Sequence, residues 1–190
     1  MEYQKQVERW GVQEIILQGP ETGNPFTEQW VRGTFSCAAQ KVSVEGFYDG
    51  EGIYKVRFMP AFEMPYHFEI EASFLDGKEE GDFAVPPPLE GNHGPVHVAY
   101  TYHFAYEDGT PYYPVGTTCY VWELQSEELQ EETLRELAKG YFNKIGFCVF
   151  PKHYIYNFHE PISYPYEGTP CDTSEMTEKN FGEYRTVDHG

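Results

Sequence analysis

The chain has 190 residues, of which 40% are hydrophobic, and its 31 acidic and 13 basic side chains give a formal net charge of −18. This composition is that of a folded globular protein that is long enough to bury a core. The strong negative charge argues against nucleic acid and anionic membranes as partners.

The amino terminus has no apolar stretch of the kind found in secretory signals. No apolar run reaches the ~20 residues that a membrane helix needs. The four cysteines show no C-x-x-C spacing, and Cys119 and Cys148 fall inside predicted strands, where a thiol packs as a small apolar group. We therefore expect a cytoplasmic protein that does not bind membranes.

The first 88 residues are predicted to be all-β. Apolar and polar side chains alternate cleanly over residues 31–37, 54–58 and 68–74, as expected of antiparallel strands with one face in water. Weaker candidates cover residues 10–17, 42–48 and 82–85. Glycine- and proline-containing turns separate these segments, and this spacing predicts an immunoglobulin-like sandwich over residues 1–88.

A proline-rich segment follows the predicted sandwich. Residues 86–88 are three consecutive prolines, which cannot continue a β-ladder and favour an extended spacer. We therefore predict a linker over residues 89–95, with a second segment over residues 96–190. That segment begins with alternating side chains that predict one strand over residues 96–106, a turn over residues 107–110 and a return strand over residues 111–115.

Two apolar segments then flank a charged one. Residues 115–121 and 145–150 have the composition of strands buried on both faces, which is typical of parallel sheets. Residues 128–139 have helical periodicity, with Ser126 as a plausible N-cap and Gly140 after the last turn. Strand, helix and strand in this order predict the start of a TIM-type β/α barrel, although the chain ends at Gly190, before a barrel could be completed.

The carboxyl ends of these two strands carry the candidate substrate-binding residues, because a barrel forms its active site at that edge. They are Tyr120, Trp122, Lys152, His153 and Tyr154. Aromatic faces offer a ligand a flat apolar platform, and lysine or histidine can hydrogen-bond its polar groups. The alternative is that Tyr120 and Trp122 are ordinary core aromatics and that Lys152 faces solvent.

The sequence predicts no metal site and no cofactor. His97 and His103, if placed on one strand, would lie about 20 Å apart, and His153 and His159 lie in an irregular segment without a zinc spacing. The phosphate-binding and serine-hydrolase motifs are absent from the sequence.

Several short phrases of the sequence are informative when they are taken together. They are Glu8-Arg9-Trp10-Gly11-Val12, Gly23-Asn24-Pro25-Phe26, Val44-Glu45-Gly46-Phe47-Tyr48-Asp49-Gly50, Tyr54-Lys55-Val56-Arg57-Phe58-Met59-Pro60, Gly91-Asn92-His93-Gly94-Pro95, Gly109-Thr110-Pro111-Tyr112-Tyr113-Pro114-Val115-Gly116-Thr117-Thr118 and Phe142-Asn143-Lys144, with Phe150-Pro151-Lys152-His153-Tyr154 after it. In this order they resemble one family of glycoside hydrolases, those of the apiosidase-like or cellulase-like barrel group. The resemblance implies an amino-terminal β-sandwich, then a catalytic barrel, then a small carboxy-terminal β-domain.

The resemblance also implies catalytic carboxylates on later barrel strands, for which this chain has no residues. The acids that follow the second parallel strand are Glu160, Glu167, Asp172 and Glu175, and no regular element fixes their geometry. We therefore assign no catalytic residue within the chain. A barrel needs ~250 residues, whereas about a hundred follow the linker.

The hypothesis that follows is the amino-terminal portion of a glycoside hydrolase acting on polysaccharide or oligosaccharide, inactive by itself. One alternative is a non-catalytic carbohydrate-binding or protein-docking sandwich. Another is a chain whose missing strands come from a second polypeptide. Carbohydrate is the expected partner, and the unfinished sheet predicts a homo-oligomer formed through its open edges.

Overall fold

The computed structural model describes residues 1–148 of the chain. Residues Met1–Tyr112 form one compact unit, and a second unit begins at Tyr113. Within the described range, no helix is long and apolar enough to span a membrane. The three cysteines in this range are free thiols.

The first unit contains two antiparallel four-stranded sheets that pack as a β-sandwich. One sheet has the strand order β1-β2-β6-β5 and the other the order β4-β3-β7-β8. The predicted β-sandwich is confirmed. Its elements are β1 (Glu2–Tyr3), β2 (Gln13–Gln18), α1 (Pro25–Glu28), β3 (Val31–Ser36), β4 (Lys41–Glu45), β5 (Phe47–Tyr48), β6 (Ile53–Phe58), β7 (Tyr66–Ala72) and β8 (Glu79–Phe83).

The three cleanly alternating segments form β3, β6 and β7, as predicted. Their apolar side chains point into the space between the sheets, where Phe35, Val56, Phe68 and Ile70 are fully buried. The weaker candidates also contain strands, at β2 and β8. β2 begins later than predicted because Trp10 has a φ angle of 65°, which is incompatible with an extended strand.

The predicted strand over residues 42–48 is wrong, because this segment forms two strands in different sheets. β4 pairs with β3, whereas β5 pairs with β6, and the chain changes sheets at Gly46. A Cβ atom at Gly46 would lie 2.4 Å from the backbone oxygen of Lys55 and 2.5 Å from Val31 Cγ1. Only glycine fits this crossing without a shift of the backbone, and alternation alone cannot reveal such a break.

Aromatic rings fill the centre of the sandwich. Phe35 stacks on Phe58 with ring centroids 4.2 Å apart and planes only 7° apart. It also contacts Phe68 and Phe83, at centroid distances of 5.9 Å and 6.4 Å. Such ring pairs contribute roughly 0.5–1.5 kcal/mol each beyond the area they bury. The large number of aromatic residues in the sequence is therefore explained in part by this core.

The predicted single strand over residues 96–106 is also wrong. The segment is a hairpin of β9 (Val96–Ala99) and β10 (His103–Tyr106), and β11 (Pro111–Tyr112) completes a three-stranded sheet. Tyr100 and Thr101 have φ angles of 50° and 71°, and Tyr102 N–H donates to Tyr100 O over 2.9 Å. A γ-turn therefore interrupts the strand, although the side chains keep the alternation of one continuous strand.

The hairpin brings two histidines onto one face of the sheet. His97 lies opposite Ala105, and His103 lies opposite Ala99. The histidines are therefore diagonal neighbours, for which a separation of about 7–8 Å is typical. The separation of about 20 Å expected for a single strand is wrong.

The second unit contains the predicted parallel pair. Its elements are β12 (Gly116–Thr118), a 3₁₀ turn (Trp122–Leu124), α2 (Glu127–Ala138) and β13 (Lys144–Gly146). β12 and β13 pair in parallel, with Thr117 opposite Ile145. Ser126 caps α2 by accepting a hydrogen bond from Leu129 N–H, as predicted. Both strands are shorter than predicted, and none of their described residues is buried.

The segment after the sandwich is held at one end and exposed at the other. Arg9 N–H donates to Pro86 O over 2.9 Å, whereas the Leu89 side chain is 70% exposed. This segment belongs to the first compact unit, which ends at Tyr112. The sequence-based boundaries at residues 88 and 95 remain a prediction.

Limited proteolysis tests these boundaries. We expect a glutamate-specific protease to cut first after Glu90, because its neighbours Leu89 and Gly91 are exposed. The sandwich strands have already closed their core by Phe83. Mass spectrometry should then show a stable fragment of residues 1–90 that unfolds cooperatively. A first stable fragment that extends beyond Tyr112 would contradict the predicted linker.

Candidate functional site

The parallel pair continues beyond its short strands at their carboxyl ends. Cys119 N–H donates to Gly146 O over 2.8 Å, and Cys148 N–H donates to Tyr120 O over 3.0 Å. These bonds hold the segments after β12 and β13 side by side. In β/α proteins this edge of the sheet is where ligands bind, so we take it as the candidate site.

The amino ends of the same strands are fixed by Asn143. Its Nδ2 donates to Tyr113 O over 2.8 Å, and its Oδ1 accepts from Val115 N–H at 2.9 Å. Its backbone N–H also donates to Val115 O over 2.9 Å. Asn143 therefore sets the register of β12 against β13, a role that the sequence did not reveal.

The predicted site residues Tyr120 and Trp122 have different environments. The Tyr120 side chain is 47% exposed, whereas Trp122 is 7% exposed. The Trp122 indole Nε1 donates to Gln130 O over 3.1 Å, and its ring meets Phe147 edge-on with centroids 5.4 Å apart. Trp122 thus joins the 3₁₀ turn to α2, and Tyr120 is the more accessible of the two aromatic side chains.

The remaining predicted site residues, Lys152, His153 and Tyr154, lie outside the described residues. The acids Glu160, Glu167, Asp172 and Glu175 also lie outside them.

Glu123 is a site residue that the sequence analysis missed. Both of its carboxylate oxygens are shielded from solvent, and neither has a hydrogen-bond partner in another described residue. Burial raises the pKa of the Glu123 carboxyl, and its own backbone N–H only partly offsets this effect. Its position in the sequence could have identified Glu123, because it is the first acidic residue after β12 and precedes the Ser126 cap.

The backbone around Glu123 is held by one glutamine. Gln130 Nε2 donates to Glu123 O over 3.1 Å and to Gln125 O over 2.9 Å. Gln130 therefore ties α2 to the 3₁₀ turn and fixes the backbone that carries the buried carboxyl. The candidate site thus contains an exposed tyrosine, Tyr120, and, three residues later in the chain, a shielded carboxyl group whose pKa is raised by burial.

A change of pH should reveal the buried carboxyl. Because its pKa is raised in the folded protein, folding becomes less favourable as pH rises from the ordinary glutamate pKa through the raised one. Below the ordinary value the carboxyl is protonated in both states, so the penalty is absent there. We expect Glu123→Gln to raise the unfolding midpoint at pH 7 and to leave it unchanged at pH 3.

Circular dichroism melts at both pH values provide the measurement. Glu131→Gln, an exposed substitution on α2, is the control and should show no such difference. Equal melting curves for Glu123→Gln and the unaltered chain at pH 7 would show that the carboxyl carries no burial penalty.

The segment around His93, one of the phrases that carry the family resemblance, has a structural role in the first unit. His93 Nδ1 lies 2.7 Å from Asp108 Oδ2, and Asp108 Oδ1 accepts from Thr110 N–H at 2.9 Å. The hydrogen bond with His93 is the main reason why the pKa of Asp108 falls to about 2. These contacts stabilise the turn between β10 and β11 and supply no reactive group.

Among the described residues, one group of side chains could hold a metal ion. It consists of His67, Glu69 and Glu80, on β7 and β8, and lies in the first unit rather than at the parallel pair.

Two comparisons with known proteins found similarity, one over part of the first unit and one over nearly the whole chain. A family model described as a domain of unknown function (DUF5060) matches residues 6–73. A search of curated proteins found no match. A crystal structure of a protein described as "a putative glycoside hydrolase" from Bacteroides vulgatus ATCC 8482 superposes with a TM-score of 0.85 and 37% sequence identity. The match covers 97% of this chain but only 38% of that protein, so the chain spans well under half of its relative's length.

Proposed function

We propose that this chain is the amino-terminal portion of a glycoside hydrolase that acts on polysaccharide or oligosaccharide. The observation that carries the proposal is the match to the Bacteroides vulgatus protein, which extends over 97% of this chain at 37% identity. The match includes both the sandwich and the parallel pair. A binding module alone would give no reason for the strand–helix–strand unit that follows it.

The proposal assigns the two parts different roles. The sandwich, as an immunoglobulin-like domain over residues 1–88, supports the enzyme, and β12, α2 and β13 begin a TIM-type barrel. Parallel pairing with a helical connection is the repeating unit of such barrels. The candidate substrate contacts are Tyr120 and Trp122, and Lys152, His153 and Tyr154 outside the described residues.

We further propose that the chain is inactive by itself. Glycoside hydrolysis requires two carboxyl groups on either side of the scissile bond, about 5–5.5 Å apart for retention or about 6.5–9.5 Å apart for inversion. At the candidate site, Glu123 has the raised pKa that suits a general acid, but its oxygens are shielded from solvent. A second carboxylate would have to come from residues beyond those described.

A domain exchange tests this function. In a chimera, this chain replaces the matched 38% of the Bacteroides vulgatus protein. We expect the chimera to hydrolyse a glycan that the parent hydrolyses, because the matched parts have a similar structure and because, on this proposal, the catalytic carboxylates lie in the rest of the parent. A folded but inactive chimera of an active parent would contradict the proposal.

The alternative, a carbohydrate-binding module, is favoured by one observation on the β9–β10 hairpin. Tyr100 is 89% exposed and Tyr102 is 87% exposed, on the two sides of the γ-turn at Thr101. Exposed tyrosine rings can stack on sugars, and strained turns persist mainly where a function requires them. Affinity electrophoresis in glycan-containing gels should then show weaker retardation for Tyr100→Ala and Tyr102→Ala than for Tyr113→Ala.

Association is a further part of the proposal. Tyr141 and Phe142, which precede β13, are 92% and 44% exposed, and α2 has no buried residue. Uncovered apolar side chains beside an open sheet favour self-association. We propose a homo-oligomer formed through residues 115–150, and sedimentation that shows a monomer at every concentration would contradict it. We also propose a cytoplasmic location.

A further inference from the structure

The outer face of β7 and β8 carries a side-chain arrangement that none of the foregoing roles uses. In the antiparallel register, His67 lies opposite Asp82 and Glu69 lies opposite Glu80. Their strand neighbours Phe68 and Ile70 point into the core, so these four side chains project from the outer face. One donor atom from each of His67, Glu69 and Glu80 lies within 4.8 Å of the other two.

From this arrangement we propose a divalent metal site, with His67, Glu69 and Glu80 as ligands and Zn²⁺ as the ion. The site is independent of the proposed hydrolase function. It joins the edge strand β8 to its neighbour β7, so a bound ion would clamp the two strands together.

The orientation of the His67 ring supports a ligand role. Its Nδ1 lies 3.0 Å from Asp82 Oδ1. When Nδ1–H donates to this carboxylate, the neutral ring presents the lone pair of Nε2, which lies 3.9 Å from Glu80 Oε2. In this tautomer Nε2 and the Glu80 carboxylate are both acceptors, and a cation between them could be bound by both. A carboxylate behind a histidine is also the usual outer partner of a metal-bound imidazole.

The local charge favours a cation. Glu69 and Glu80 are directly opposite like charges, which destabilise a sheet. The Lys78 ammonium group lies 3.5 Å from the Glu69 carboxylate and 3.2 Å from the Glu71 carboxylate, so its positive charge offsets part of the negative charge on β7. A metal ion bound by His67, Glu69 and Glu80 would replace the cross-strand repulsion with two bonds to the same centre.

The donor set indicates the class of ion. One imidazole nitrogen and two carboxylate oxygens suit Zn²⁺, which binds both types at about 2.0–2.2 Å. Ca²⁺ and Mg²⁺ prefer oxygen ligands throughout. The Glu80 side chain is 71% exposed, so solvent can supply the fourth ligand of a tetrahedral site.

Zinc titration of the full chain tests the site, with calorimetry for affinity and histidine ring NMR signals for location. We expect Zn²⁺ to shift the ring signal that His67→Ala abolishes. We expect His67→Ala and Glu80→Gln each to weaken binding by at least about tenfold, and Asp82→Asn to weaken it by about 10–100-fold. Glu71→Gln, on the same face but paired with Lys78, should bind like the unaltered chain.

The substitutions are on an exposed face, and near-ultraviolet circular dichroism without zinc should confirm that each variant is folded. An unshifted His67 signal at saturating Zn²⁺ would overturn the proposal. Equal affinities of Glu80→Gln and the unaltered chain would overturn it as well, because Glu80 would then not be a ligand and the cross-strand site would not exist.

Discussion

Replacing Phe35 with alanine is expected to lower the free energy of unfolding of the sandwich by about 3–5 kcal/mol. Phe35 is fully buried, and its ring stacks on Phe58 and contacts Phe68 and Phe83. Removing the ring leaves a cavity between two sheets whose strands are fixed by their ladders and cannot close around it. A loss of this size is a large fraction of the 5–15 kcal/mol that typically stabilises a domain.

Urea unfolding followed by tryptophan fluorescence or circular dichroism measures the change. Phe62→Ala is the matched control, because Phe62 is 38% exposed and its removal opens no enclosed cavity. The control should change stability by less than about 1 kcal/mol. Equal destabilisation by both substitutions would mean that Phe35 is not at the centre of the core.

The second large effect is expected at Gly46. The substitution Gly46→Ala places a Cβ atom 2.4 Å from the backbone oxygen of Lys55, a contact that side-chain rotation cannot relieve. The crossing between β4 and β5 would have to move away from β6. Overpacking of this kind costs about 1–3 kcal/mol, and occasionally more.

Gly146→Ala is a suitable control for the loss of backbone freedom. It lies inside β13 rather than at a crossing between two strands, and its Cβ atom would lie 3.8 Å from the nearest atoms of the described residues, which is an ordinary contact. We expect this variant to melt like the unaltered chain, whereas Gly46→Ala should melt at a clearly lower temperature. Retention of the full melting temperature by Gly46→Ala would show that the crossing is flexible.

The sequence predicted the strands that have one buried and one solvated face. In β7, Phe68 and Ile70 are buried, whereas Glu69 and Glu71 lie on the opposite face. The two-residue period of the sequence is therefore the two-residue period of the strand. The parallel pair and its helix were also predictable. Ser126 marks the start of the helix through its side-chain cap, and the helix ends at Ala138, two residues before Gly140.

The sequence could not predict the turns through which the alternation of side chains continues unbroken. At Thr101 a γ-turn replaces extended backbone while tyrosines continue the alternation on both sides. At Gly46 the alternation passes through a change of sheet. Both events depend on backbone geometry, which side-chain periodicity does not encode.

The site was predictable only in its location. The order of strand, helix and strand indicates the edge where Tyr120 and Trp122 lie. The burial of Trp122 depends instead on its contacts with α2 and Phe147. The shielding of the Glu123 carboxyl depends on the folded structure and has no signature in a side-chain pattern. The proposed zinc ligands were hidden for a similar reason, since only the register of β7 against β8 brings His67 to Glu80.

Reducing-sugar release from a panel of glycans is the most direct test of the proposal that this chain is inactive by itself. The 190-residue chain would be assayed at high concentration beside the chimera, which shows that the panel contains a suitable substrate. We predict release by the chimera and none by the chain alone. Turnover by the chain that Glu160→Gln or Glu167→Gln abolishes would contradict the account, because the catalytic carboxylates would then lie within these 190 residues.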